Sequence, residues 1–146
     1  MAKFKGHGLA RLVEGVLKAQ GYMTFRSPEG PDGGIDILAG TGALGFGAPR
    51  LCVQVKSQDT PVEMAAVHQL QGAMQHVKAT EGLFVSWSGF KSSVQKQIAP
   101  NFFSVRLWTQ KELLETMFAH YDQLDEELKA ELPLKRIWTV AAQDEE

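Results

Sequence analysis

The sequence is short of cysteine, of long apolar runs and of any large surplus of one charge. A single cysteine, Cys52, among 146 residues rules out an internal disulfide framework and fits a reducing compartment. No apolar stretch reaches the ~18 residues that a membrane span requires. The opening Met1-Ala2-Lys3-Phe4-Lys5-Gly6 has lysines but no apolar leader segment behind them. A soluble cytoplasmic protein with no membrane partner is the expectation. Charge is nearly balanced, 15 Lys+Arg against 17 Asp+Glu for a net −2, which argues against a strongly basic nucleic-acid binder. The total hides an asymmetry. Residues 1–109 hold 11 basic and 7 acidic side chains, and residues 110–146 hold 4 and 10. Charges are screened within ~8 Å at physiological salt, so an acidic end does not cancel a mildly basic face elsewhere.

What is present is the pattern of one globular domain. Leu9, Leu12, Val13, Val16 and Leu17 form a buried helical stripe, which Gly21 ends as a C′ residue. Tyr22 to Phe25 reads as a strand, and Ser27 to Gly34 as turn chemistry. Asp32 in that turn is a turn-former first and part of an acidic rim second. Ile35 to Ala39 is a strand, with Ile35 and Ile37 on one face and Asp36 on the other. Leu51 to Lys56 alternates, Leu51, Val53 and Val55 facing a core while Cys52, Gln54 and Lys56 share the opposite face. A hairpin joins these two strands.

The intervening Gly40-Thr41-Gly42-Ala43-Leu44-Gly45 has the spacing of a dinucleotide fingerprint. A strand rather than a helix follows it, so it reads as a hairpin loop, and no small-molecule cofactor is expected. Thr60-Pro61-Val62-Glu63 has the form of a capping box with Pro at the first helical position. It predicts a helix to about Lys78, with Val67, Leu70, Met74 and Val77 on its apolar side. An inner strand at Gly82–Trp87, a short helix over 91–98, a strand at Phe103–Leu107 and a helix at Lys111–His120 complete the order. The expectation is an α/β mixed sheet flanked by helices with an α-β-β-β-α-β core. The domain spans 1–120, and 121–146 is an acidic extension, helical in part, packed on or trailing from it.

An acid beside one strand and Gln-x-Lys on the next is a combination that phosphodiester hydrolysis uses. A carboxylate such as Asp36 binds a divalent cation, the Gln54 carbonyl adds a neutral ligand, and Lys56 assists proton transfer or stabilises charge. The same residues also suit a plain structural ion pair. Cys52 shares that face, but with no histidine motif beside it a small buried hydrophobe is expected. His68 and His76 lie two helical turns apart, outside zinc spacing, and His7 and His120 have no ligand context. Lys91, Ser92 and Lys96, with Ser93 and Gln97, offer phosphate contacts at a helix start. Gln69, Gln71 and Gln75 suit either an exposed polar face or a partner-facing one.

Gly30-Pro31-Asp32-Gly33-Gly34-Ile35-Asp36-Ile37 followed by Val53-Gln54-Val55-Lys56 resembles the catalytic domain of the Mrr-like restriction endonuclease family. That family is the Gln-x-Lys variant within the PD-(D/E)xK nucleases. The likeness continues through Ser88-Gly89-Phe90 and Leu107 to Leu114, covering about residues 9–115. The resemblance implies a restriction-endonuclease-like fold and metal-dependent DNA cleavage, with Asp36, Gln54 and Lys56 as catalytic residues. Asp36 and Gln54 would be the metal ligands, for Mg²⁺ with Mn²⁺ as a substitute. It further implies DNA as partner, for which the helix-start residues Lys91, Ser92 and Lys96 are the candidate contacts; two cuts require two active sites, so a homodimer is expected. The family's early aromatic-Glu pair falls on Leu9-Ala10, so its carboxylate is missing. Glu14, one turn on, is either its substitute at the metal or a solvated surface residue. A non-cleaving nucleic-acid or protein-binding module, or a Holliday-junction resolvase-like nuclease, are the alternatives.

Overall fold

The computed structural model describes residues 7–28 and 35–131. Helix α1 (His7–Ala19) buries Leu9, Leu12, Val13, Val16 and Leu17 almost completely, as the periodicity requires. It ends in a Schellman motif. Gly21 at φ +98° donates to the Lys18 carbonyl (2.9 Å), and Tyr22 donates to that of Leu17 (3.1 Å). The chain continues through β1 (Met23–Arg26), β2 (Ile37–Thr41), β3 (Gly47–Lys56), α2 (Met64–Val77) and β4 (Glu81–Ser86). It is completed by α3 (Ser92–Gln95), α4 (Ile98–Asn101), β5 (Val105–Trp108), α5 (Gln110–Ala119) and α6 (Glu126–Glu131).

The strands form one sheet in the order β1-β2-β3-β4-β5. The β1, β2 and β3 neighbours are antiparallel, while β3, β4 and β5 run parallel. This is the mixed sheet flanked by helices that the pattern predicts. One face carries Ile37, Ala39, Val53, Leu83 and Val85 against α1 and α5. The other carries Cys52, Phe84 and Val105 against α2 and α3. Strand β4 is buried on both faces, in keeping with its unbroken apolar run.

Four local readings need correction. Ile35 does not share a face with Ile37: it packs with the Cys52–Phe84 cluster, while Ile37 joins the α1 cluster. The pleat starts only at Ile37, so strict alternation does not extend back to Ile35. The capping box at Thr60 does not form. Helix α2 starts at Met64 with Glu63 as an N-cap that makes no side-chain capping bond. Val62 is instead buried in a parallel bridge to Phe90, with Val62 N–H bonded to Gly89 O and Lys91 N–H to Val62 O. That ladder holds the backbone extended where a helix would need it coiled.

The helix expected over 91–98 splits into α3 and α4, because Pro100 lacks the N–H that a continuous helix would direct at Lys96. The glycine-rich loop shrinks to residues 42–46, since Gly40 and Thr41 belong to β2 and Gly47 to β3. A side chain at Gly40 would collide with the Gly45 carbonyl, so the close approach across this hairpin needs glycine. Past α5, Leu124 and Leu128 are buried in the α1 cluster. Leu128 occupies the notch left by Gly15, and Arg11 pairs with Glu131 at 2.5 Å. These contacts seat residues 124–131 against α1, and 132–146 lie outside the described residues. Among the described residues no helix is long and apolar enough to cross a membrane.

Candidate active site

Asp36 stands just before β2, where three backbone partners fix it. Its N–H donates to Val53 O (2.9 Å), its carbonyl accepts from Ser27 N–H (2.8 Å), and its Oδ2 accepts from Val55 N–H (2.7 Å). The carboxylate thus takes the place of a ladder carbonyl where β2 stops pairing with β3. Ile37 opposes Val53 and Leu38 opposes Cys52; just before this pairing, the Asp36 bonds to Val53 and Val55 flank Gln54 on both sides.

Gln54 and Lys56 lie two residues apart on β3, on the face turned to α2, with Gln54 beside Phe84 and Lys56 beside Ser86 in the parallel register. Gln54 is 6% exposed, and its Oε1 has no hydrogen-bond partner among the described residues. Leaving a buried carbonyl unmet costs about 1–3 kcal/mol. Such an orphan calls for a ligand, and a hard divalent cation takes carbonyl and carboxylate oxygens. The chemistry of the Asp36–Gln54 pair fits that ion. Among the described residues no group of three or more His, Cys, Asp or Glu side chains is placed to hold a metal. Among the described residues, protein ligation here would rest on one carboxylate and one amide.

Lys56 is half-buried and lines a cavity of about 760 Å³ that reaches α2 and Lys91. The sheet end beneath it is braced by Trp87 N–H to Lys56 O (3.0 Å) and by Ser86 Oγ to Gly89 O (2.7 Å). Glu14 makes its contacts to α1 and β1. Its Oε2 accepts from Thr24 Oγ1 (2.8 Å), its Oε1 is 3.7 Å from Arg26, and Lys18 approaches at 4.0 Å. Glu14 is only 14% exposed, so it is not the solvated helix-surface residue of the second reading. Asp32 lies outside the described residues. Ser92 and Lys96 are exposed, whereas Lys91 Nζ is 2.7 Å from Glu63 Oε1, a pair that sequence spacing gave no sign of.

Residues 1–117 match the family model of the restriction endonuclease catalytic domain of the Mrr type. The chain belongs to this restriction endonuclease family. No curated protein matches it, but solved structures share its fold. The restriction endonuclease MspJI, solved in complex with a 27-mer oligonucleotide, is 21% identical with a TM-score of 0.55, over 80% of this chain and 27% of its own. The DNA modification-dependent restriction endonuclease AspBHI is 15% identical with a TM-score of 0.59, over 81% of this chain and 32% of its own. AF1548, a protein of unknown function, gives 15% and 0.55, over 74% and 64%. This family member thus spans about a third or less of the two named nucleases.

Cys52, on the active-site face, is fully buried, and that burial together with the Asp36 charge pushes its thiol up to about 11. It is a core residue rather than a nucleophile at neutral pH. Because the unfolded thiol ionises near 9 and the folded one near 11, its contribution to stability is whole below about pH 9 and is lost as pH rises to about 11. Urea midpoints between pH 8 and 10.5 should fall less steeply in Cys52→Ala than in wild type. Parallel declines would remove Cys52 from the account.

Proposed function

We propose that this domain hydrolyses DNA phosphodiester bonds as a divalent-metal-dependent, restriction-type endonuclease. The observation that carries the reading is the buried Gln54 carbonyl, without a partner among the described residues, beside a carboxylate that the backbone fixes from three sides. Asp36 and Gln54 would hold Mg²⁺, or Mn²⁺ in its place. When bound, the ion supplies positive charge to a phosphoryl oxygen and acidifies bound water. Asp36 acts from a rigid position, since moving it would break bonds to Ser27, Val53 and Val55. Lys56, at the mouth of the adjoining cavity, places its ammonium against the phosphate and the attacking water, where a cation offsets developing negative charge. DNA is the proposed partner, and MspJI, which shares the fold, is solved in complex with a 27-mer oligonucleotide. Cutting both strands requires two such sites, which a homodimer provides.

A second reading, a nuclease fold kept for binding without cleavage, is favoured by Ala10 and by the Thr24 and Arg26 contacts of Glu14. A plasmid-nicking assay with Mg²⁺ and Mn²⁺ separates the two, using supercoiled, linear and four-way-junction DNA. Nicking that disappears in EDTA is the expected result. Folded protein that binds these DNAs and cuts none of them with either ion would establish the second reading.

A further inference from the structure

The cavity beside Lys56 runs along the start of α2 to the Phe90–Lys91 segment, lined by Gln58, His68, Gln69 and Lys91 among others. Among the described residues that line it, Glu63 is the only acid. Its carboxylate lies 2.7 Å from the Lys91 ammonium, and both side chains are at least half exposed. Lys91 also holds the Glu63 carboxyl below its usual range.

This ion pair has little structural work to do. The two segments it joins are already tied by the Val62–Phe90 bridge and its backbone bonds at 2.9 and 3.0 Å. An exposed pair adds little to such a tie. Glu63 also forgoes the local role of its position, since as N-cap of α2 it makes no capping bond. A lysine held at the rim of a cavity that contains the candidate catalytic lysine is instead placed for a second anion.

We propose that Lys91 binds a DNA backbone phosphate adjacent to the one at Lys56, and that Glu63 is the competing anion this phosphate displaces. The inference rests on the endonuclease reading above and names the second contact of that site. Glu63 then restrains affinity: a strand enters the cavity only by taking Lys91 from it. The exchange is one anion for another on the same ammonium. A polyanion with a condensed counterion atmosphere wins it readily at low salt and less readily at high salt.

The test is duplex binding by fluorescence anisotropy, with Ca²⁺ in place of Mg²⁺ and over a series of salt concentrations. Wild type is compared with Glu63→Gln, Lys91→Ala and the double variant, each checked for folding by circular dichroism. Glu63→Gln should bind about two- to fivefold more tightly, the range an exposed ion pair supports. Lys91→Ala should bind more weakly and lower the slope of log K against log salt by about one. In the Lys91→Ala background the Glu63 change should have no effect, which a general change in charge would not reproduce. Wild type that binds DNA while Glu63→Gln tightens it equally with and without Lys91, or not at all, overturns the exchange and leaves the nuclease reading standing. Wild type that fails to bind DNA overturns both.

Discussion

Asp36→Asn should leave the domain folded and lower metal-dependent DNA cleavage by about a thousandfold or more. The amide oxygen of Asn can still accept the Val55 N–H, and the backbone bonds to Ser27 and Val53 are untouched, so the β2–β3 junction keeps its clamp. What is removed is the carboxylate that the backbone holds beside Gln54. Lewis-acid stabilisation of a phosphoryl group is worth several kcal/mol, and each ~1.4 kcal/mol is a factor of ten in rate. With only an amide carbonyl left, a divalent cation would have no charged ligand at this pair. Lys56→Ala should cost about a hundredfold or more, the range of a positioned general acid–base group. Nicking rates measured with matched melting curves test both. An Asp36→Asn variant that melts like wild type and cuts within tenfold of it would take Asp36 out of the site.

Phe84→Ala should be the most damaging change to stability. Phe84 is fully buried in the inner strand β4, between Gln54 and Leu107 in the parallel registers. Its ring meets Phe90 edge-on, with centroids 5.6 Å apart and planes at 81°. Truncating a buried Phe costs about 3–5 kcal/mol, and the lost edge-to-face contact adds about 0.5–1.5 kcal/mol. Because Phe90 precedes Lys91, the void also loosens the far wall of the cavity beside Lys56. Urea unfolding measures the loss, and a decrease below 1 kcal/mol would mean that the Phe84–Phe90 contact is not central to the core.

The pair of strands that carries the site was legible because its pattern is strict. Alternation over Leu51 to Lys56 places Gln54 and Lys56 on one face, and the structure has them there. The acid at the start of β2 was equally readable, but not what holds it. The Val55 N–H that grips Asp36 is a backbone group nineteen residues away, and no side-chain pattern announces it. Thr60 shows the opposite failure. Its local signal for a helix start is strong, yet Val62 gains more from burial and from a ladder with Phe90, residues distant in sequence. The Glu63–Lys91 pair follows from that same long-range bridge. It was invisible for the same reason.

The seating of the C-terminal helix has an electrostatic consequence of its own. Leu124 and Leu128 bury themselves against α1, and Arg11 holds Glu131. Glu126 and Glu127 on α6 are thereby fixed on the α1 side of the sheet. Lys56 and Lys91 open on the α2 side. The carboxylates of α6 are thereby kept across the sheet from the cavity beside Lys56, on the face away from the candidate site.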